Sequence, residues 1–464
     1  MYISKVSIKN YRIFKNDKEY EINDINIPNL INNGSGITVV AGENGCGKTT
    51  ILDAIASSIL EYKADLFDIK DINNINEKTE IKVYADIPFK VLGTFPNTEY
   101  EFNGISFIGG IRGRGNKSFL QSMVVHDQIF LKVNPDDKPK EGSPDLRLSV
   151  NNPFSGKRFN DTDVVYLDKN RLFQTKSGTY NETKFDRLME DFNFQYNKKS
   201  KTIEDLNIYL NENVKKDKVE NNFLAEAIKK FEEISGYRVQ LDFIDNYQPF
   251  DNACFVTRKD NNQQISLSKI GSGYEMIFSL LYSYYLSKQN GKNMIILIDE
   301  PELHLHPKIQ EKFIKFLLDI SKEVQVIMTT HSPILIKQLL ENDYVKILIL
   351  NNDITYSKIG QKKLSYNSAN EINYLAFNLA TEEYHNELYE ELKNRYGANL
   401  GIKDFDTQFF INNQGETKSY PWKGNPNEVS LHTYIRNQIH HQADNGKPSL
   451  IDLESSIGIM RNYL

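Results

Sequence analysis

Residues 42 to 49 read Gly-Glu-Asn-Gly-Cys-Gly-Lys-Thr, which is the pattern G-x-x-x-x-G-K-T. The run Ile37–Ala41 before it is apolar and β-branched and predicts a strand, while the apolar spacing of Thr50–Ala56 behind it predicts a helix. A glycine-rich loop between a strand and a helix turns backbone N–H groups inward, and the helix dipole adds positive potential. This context predicts a cradle for the phosphates of a nucleoside triphosphate.

The last residues of this loop have separate predicted tasks. Lys48 is expected to bridge the β- and γ-phosphates, and the hydroxyl of Thr49 is expected to hold Mg²⁺. The predicted nucleotide contacts of the loop are Asn44, Gly45, Cys46, Gly47, Lys48, Thr49 and Thr50.

Composition limits the remaining possibilities. With 464 residues, 25% of them charged and 39% hydrophobic, the chain can form two or three domains with ordinary cores. It contains no apolar run of the roughly 18 to 20 residues that a membrane span needs, and it opens with a strand pattern instead of a signal peptide, so we expect a cytoplasmic protein. Two cysteines exclude a disulfide framework and a zinc site, and a net charge of −6 argues against a large DNA-binding surface.

A second group of polar residues follows two further buried-type strands. The apolar run 293–298 ends in Asp299 and Glu300, which we assign to Mg²⁺ and to the general base that activates water. The apolar run 324–328 leads to Thr-Thr-His, and His331 at its tip is expected to reach the γ-phosphate or the attacking water. These residues predict hydrolysis as well as binding.

A Gly-Ser-Gly-Tyr-Glu element at residues 271–275 precedes an apolar helix and stands shortly before the carboxylate strand. Together with the phosphate loop, the Asp-Glu-Pro-Glu-Leu-His-Leu-His-Pro run and Thr-Thr-His-Ser-Pro, it resembles the ABC-type ATPases, in the branch that includes RecF, SMC-like and OLD-like proteins. The resemblance implies ATP and Mg²⁺ as cofactors, with Ser272 and Gly273 reaching the γ-phosphate of ATP bound to a second copy. The spelling Gly-Ser-Gly departs from the commoner Leu-Ser-Gly-Gly, and Gln121 and Gln128 are candidates for the glutamine-loop residue.

The resemblance also implies the fold. We expect an α/β ABC-type ATPase head, with a RecA-like sheet and an antiparallel β lobe. The expected parts are 1–180, with the phosphate loop and a β-rich subdomain; 181–240, a short helical insertion; 241–350, with the signature, carboxylate strand and switch histidine; and 351–464, a small α/β or α region for a partner or effector. Two heads would enclose two ATP molecules, giving a homodimer or higher homo-oligomer.

Three stretches carry weaker signals. His304 and His306, with Glu302, could suggest a metal cluster, but their spacing favours packing or capping. Asp404-Phe405-Asp406 matches the Asp-x-Asp part of a Toprim nuclease site, but it lacks the preceding apolar strand that such a site needs. Arg436 and His441 are spaced R-x-x-x-x-H, which resembles HEPN ribonucleases, and a structural role for this helix end is the alternative.

Three functions stay open at this point. Size and motifs resemble the ATPase subunits of two-gene anti-phage systems, the PARIS ATPase (AriA) and the Septu and retron ATPase (PtuA). This resemblance implies a sensor or scaffold for a separate effector nuclease, with a phage protein or nucleic acid as its trigger. The alternatives are an ATP-gated ribonuclease that uses Arg436 and His441, and a DNA-repair ATPase of the RecF or SMC-like kind.

Overall fold

The computed structural model describes two compact units. The first comprises Met1–His331 with Gln338–Tyr356, and the second comprises Ser332–Lys337 with Ser357–Leu464. The residues described are 1–59, 71–74, 77, 79–92, 99–114, 117–126, 162–168, 223–241, 254–257, 264–266, 271–289, 291–351, 353–441 and 446–464.

A six-stranded sheet forms the centre of the first unit, in the order β14-β13-β3-β12-β11-β7. All pairings from β13 to β7 are parallel, so the carboxyl ends of these strands share one edge. Every residue of β3, β7 and β12 is buried, which explains why these strands read as continuous apolar runs. The strands are β3 (Ile37–Gly42), β7 (Thr162–Leu167), β11 (Asn293–Asp299), β12 (Val324–Thr330), β13 (Lys346–Leu350) and β14 (Tyr356–Lys358).

A five-stranded antiparallel sheet, in the order β2-β1-β4-β5-β6, shares an apolar core with this centre, and a buried glutamine also links the two. The amide of Gln325 on β12 accepts from the backbone N–H of Ile3 (2.8 Å) and donates to the carbonyls of Ile3 (2.6 Å) and Asn26 (2.8 Å). A RecA-like sheet with an antiparallel lobe is the predicted fold class, which the structure confirms. The strands are β1 (Ile3–Lys9), β2 (Tyr20–Ile22), β4 (Thr79–Leu92), β5 (Glu99–Arg114) and β6 (Lys117–His126).

Two local predictions in this sheet are wrong. Local composition alone predicts a loop for the glycine-rich stretch from Gly109 and a turn for Phe102–Gly104, yet both lie inside β5. Gly109 pairs with Thr79 on one side and Ser122 on the other, because ladder hydrogen bonds on both sides outweigh the poor strand propensity of glycine.

Helices and a small sheet complete the first unit. The helices are α1 (Lys48–Ile59), α2 (Phe223–Ser235), α3 (Ser272–Gln289) and α4 (Pro307–Ile320). The residues of the next helix, α5 (Pro333–Leu339), are divided between the two units. The small sheet consists of β8 (Arg238–Leu241), β9 (Cys254–Thr257) and β10 (Gln264–Ser266). The predicted helical insertion is represented by α2, and its earlier part lies outside the described residues.

The second unit is mainly helical. An aromatic core that includes Tyr384, Phe405 and Phe410 holds its helices together. The elements are α6 (Ala369–Phe377), α7 (Glu382–Tyr396), α8 (Ile402–Phe405) continued by a π-helix (Asp406–Asn413), a hairpin of β15 (Tyr420–Trp422) and β16 (Asn425–Val429), α9 (Leu431–His440) and α10 (Leu450–Tyr463). Among the described residues, no helix combines the length and the hydropathy that crossing a membrane requires.

Candidate functional site

The phosphate loop connects β3 to α1 and holds its lysine in place. The Nζ atom of Lys48 donates to the carbonyls of Gly42 (2.9 Å) and Glu43 (2.7 Å), and burial lowers the pKa of this ammonium group. Gly47 has φ 104°, and a Cβ atom there would lie 2.3 Å from Cδ1 of Ile13. Gly45 has φ 81°, which glycine adopts without strain, and a Cβ atom there would meet nothing within 4 Å.

The phosphate loop meets the carboxylate strand at Thr49. Its hydroxyl lies 3.0 and 3.2 Å from the two carboxylate oxygens of Asp299, which is fully buried at the end of β11. Thr329 on the neighbouring strand also donates to Asp299. A hydroxyl beside a carboxylate is a donor set that Mg²⁺ prefers, so the residues present fit this ion.

Glu300 and His331 follow the ends of β11 and β12. The two side chains approach each other, with 3.6 Å between Oε1 of Glu300 and Nε2 of His331. Glu300 has φ 51°, in the left-handed region, and its backbone N–H donates to the carbonyl (3.2 Å) and hydroxyl (3.1 Å) of Thr329. This turn directs the second carboxylate away from the strand and toward the histidine side.

Glu302 lies one turn further along the chain and contacts the histidine strand. Its Oε1 atom accepts from the hydroxyl of Thr330 (2.7 Å) and from the backbone N–H of His331 (3.0 Å). Burial raises the pKa of Glu302, and the charge of Glu300 acts in the same direction. The sequence patterns did not predict this contact.

The two histidines near Glu302 lie at the start of α4 and in the turn before it. His306 caps α4, with its Nδ1 atom accepting from the backbone N–H of Lys308 (3.3 Å), as the capping prediction has it. His304 is exposed. Within the described part of the chain, no group of three histidine, cysteine or acidic residues could hold a metal ion.

Ser272 and Gly273 form the first turn of α3. Ser272 is half-buried, whereas a Cβ atom on Gly273 would lie 2.6 Å from the carbonyl oxygen of His304. Glycine therefore lets the helix start pack against the turn that follows Glu300. Their contact with ATP on a second copy stays a prediction. Of the glutamine-loop candidates, Gln121 lies on β6 and Gln128 lies outside the described residues.

A buried ionic network behind α1 was not predicted from the sequence. The carboxylate of Asp53 accepts from the guanidinium of Arg12 and from the hydroxyl of Tyr166. Arg12 also donates from Nε to Asp71 (2.8 Å). Tyr166 pairs with Leu297 on β11, so this network ties α1 to the carboxylate strand.

The residues that resemble a ribonuclease motif lie on and just after α9 in the second unit. The guanidinium of Arg436 lies 5.6 Å from the ring centre of Tyr389 and 3.6 Å from Glu390. His441 is exposed just after α9 ends. Asp406, from the possible Toprim motif, is buried and accepts from the backbone and the hydroxyl of Ser430. These contacts give Arg436 and Asp406 packing roles.

Two buried histidines share one serine in the same unit. Ser456 lies 2.9 Å from Nε2 of His385 and 2.7 Å from Nδ1 of His432, and all three side chains are fully buried. Burial lowers the pKa of His385 well below its usual value and that of His432 to about 4, although Glu416 opposes the second shift. The cluster therefore requires neutral imidazoles.

We expect the second unit to lose stability as the pH falls from 6.5 toward 4. Because the folded pKa of His432 is depressed, the unfolded chain binds more protons in this window, and stability present above pH 6.5 disappears on acidification. The loss from His432 is about 3 kcal/mol. Urea unfolding followed by the fluorescence of Trp422, the single tryptophan of the chain, measures it.

The variant His432→Gln is the control for this expectation. It should reduce the dependence of the free energy of unfolding on pH, leaving the part that His385 contributes. A tryptophan transition that is equally stable at pH 4.5 and pH 7 in the wild-type chain would contradict the assignment.

Residues 168–336 match the family described as AAA ATPase domain. An OLD nuclease from Thermus scotoductus is 23% identical over 347 residues, which covers 72% of this chain and 59% of that protein. A retron Vc95 probable ATPase from Vibrio cholerae is 23% identical over 401 residues, or 77% of each chain. The crystal structure of an SMC head bound to the C-winged helix domain of ScpA has a TM-score of 0.43 and 16% identity, covering 75% of this chain and 94% of that one.

Part of the chain is thus similar to the AAA ATPase domain, and the predicted similarity to OLD-like and retron ATPases is confirmed. The matched residues include the signature, the carboxylate strand and His331. The phosphate loop lies outside them, and its link to them is the contact of Thr49 with Asp299. The chain spans less than two thirds of the length of the OLD nuclease.

Proposed function

We propose that this chain binds ATP with Mg²⁺ and hydrolyses it. The observation that carries the proposal is the meeting of Thr49 with Asp299, since it joins a phosphate cradle to a metal-binding carboxylate. ATP with Mg²⁺ would supply the phosphoryl group and the charge that neutralises it. Lys48 would bind the phosphates, and Glu300, oriented beside His331, would take the proton of the attacking water.

We further propose that two copies enclose the nucleotide. Ser272 is half-buried at the start of α3, and its backbone is fixed by the packing of Gly273 on the turn after Glu300. The positive end of the helix dipole lies at this start and favours an anionic phosphate. A second copy facing this turn would therefore complete the grip on the γ-phosphate.

The cellular role that we propose is a sensor or scaffold in an anti-phage complex, controlling a separate effector nuclease. The support is the similarity to a retron ATPase and the packing roles of Arg436 and Asp406. The ribonuclease alternative would need Arg436 and His441 to act on one substrate. Arg436 instead faces Glu390 and Tyr389, which disfavours that alternative.

One incubation tests the proposed ATP hydrolysis and the proposal that the nuclease is a separate protein. The purified full chain, mixed with Mg²⁺, ATP, total RNA and duplex DNA, should release phosphate while both nucleic acids stay intact. Cleavage that disappears in the variant His441→Ala would favour the ribonuclease. Phosphate release that survives Lys48→Ala would mean that the activity belongs to a contaminant.

A further inference from the structure

The turn after the carboxylate strand contains a third acidic residue that the proposed chemistry does not use. Glu302 directs its carboxylate back toward the end of β12. Its Oε1 atom receives two hydrogen bonds, one from a side chain and one from the backbone of the switch histidine. Its Oε2 atom is buried and makes no hydrogen bond to any described residue. Both of these donors to the carboxyl group therefore come from the end of the histidine strand.

The main chain of Glu302 is held as firmly as its side chain. The amide of Gln310 on α4 donates to the carbonyls of Glu302 and Leu305, both at 2.9 Å. The backbone N–H of Leu305 also donates to the carbonyl of Glu302 (3.3 Å). The turn is thus anchored on the helix side, and Glu302 carries that anchor across to the histidine.

We propose that Glu302 is a positioning residue for ATP hydrolysis, holding His331 at the distance from Glu300 at which both can act on the attacking water. The inference rests on the function proposed above. The hydrogen bond from the backbone N–H of His331 to Glu302 fixes the main-chain position from which the imidazole projects. The turn that carries Glu302 also carries Glu300, the partner of this imidazole. Both partners of the 3.6 Å contact are therefore set by one short segment.

Glu302 has a different task from Glu300. Its Oε1 atom accepts two hydrogen bonds from the end of β12 and its Oε2 atom is buried, so we assign it no direct part in the chemical step. A positioning group of this kind affects the chemical step more than the binding of substrate, because a displacement of about 1 Å in a catalytic group can cost about 10²-fold in rate.

The test is a double-mutant cycle of Glu302 with His331, measured as kcat and KM for ATP with Mg²⁺. We expect Glu302→Ala to lower kcat about 10- to 100-fold with KM changed less than about twofold. Glu302→Gln should keep kcat within about threefold, because its amide oxygen still accepts both hydrogen bonds. In the His331→Ala background, Glu302→Ala should lower kcat by less than about twofold, since its effect passes through the histidine.

Matched variants separate this role from a loss of folding. Glu311 on α4 is exposed and pairs with Lys315, so Glu311→Ala should leave kcat unchanged. If Glu302→Ala does not fold, Thr330→Val removes one of the two donors and should lower kcat several-fold, again only when His331 is present.

Three results would overturn the inference while leaving the ATPase intact: an unchanged kcat in Glu302→Ala, equal damage by Glu302→Gln and Glu302→Ala, or effects of Glu302→Ala and His331→Ala that multiply in full. A wild-type chain without any turnover would overturn the proposed function, and this inference with it.

Discussion

The Glu300→Gln chain should hydrolyse ATP about 10²- to 10⁴-fold more slowly than the wild-type chain, the range that loss of a general base produces. Glutamine keeps the shape of the side chain and its position near His331, 3.6 Å away in the wild-type protein, but it cannot accept the proton of water. ATP binding should be retained, because Lys48, Thr49 and Asp299 are untouched.

The second consequence of Glu300→Gln is a change in assembly. If the γ-phosphate joins two copies, uncleaved ATP should hold them together, and size-exclusion chromatography with light scattering should show a dimer in ATP but a smaller species in ADP. The variant Ser272→Arg provides the control, since a bulky cation at the start of α3 should prevent the ATP-dependent dimer. An elution volume that ATP does not change would contradict the shared site.

The Lys48→Ala chain should bind ATP at least about 30-fold more weakly, because truncating a buried charged contact costs roughly 2–5 kcal/mol. In the protein, the lysine ammonium already lies between the carbonyls of Gly42 and Glu43, so a bound phosphate would meet it in place. Isothermal titration calorimetry measures the loss, and turnover should disappear with it. Lys48→Arg should restore little of the lost ATP affinity, because Lys48 is only 4% exposed and its site is too narrow for a guanidinium group.

Mixing two inactive chains makes the Lys48 experiment stricter. Lys48→Ala breaks the phosphate loop of its own site, whereas Ser272→Arg breaks the site of its partner. A Ser272→Arg homodimer carries the arginine in both sites, whereas a mixed dimer carries both lesions in one site and is held by the other, intact site. Equal mixing should therefore restore at most about a quarter of wild-type turnover in a two-fold symmetric dimer. A mixture as inactive as its components, although the chains exchange, would show that each site is built within one copy.

Much of the site could be predicted because it follows from strand ends. The runs before Gly42, Asp299 and His331 are apolar enough to be buried parallel strands, and parallel strands bring their carboxyl ends to one edge. That rule alone places the three groups together, although they lie far apart along the chain.

The turns and side-chain contacts beyond the strand ends could not be predicted. The hydrogen bond of Glu302 to the histidine depends on how the turn after β11 folds back, and no residue spacing reports it. The contact of Asp53 with Tyr166 joins residues 113 positions apart. The stretch from Gly109 was misassigned for a related reason, since local composition signals a loop while pairing with β4 and β6 makes it a strand.

The left-handed backbone at Glu300 limits how this position can change over evolutionary time. With φ at 51°, glycine, asparagine and aspartate fit the main chain best, whereas β-branched residues would be strained. The proposed proton transfer requires a carboxylate, so glutamate serves as the base although its left-handed backbone conformation costs free energy. A descendant that no longer needs to hydrolyse nucleotide is therefore expected to acquire asparagine or glycine at position 300. Such a substitution in a relative would mark a protein that binds the nucleotide without hydrolysing it.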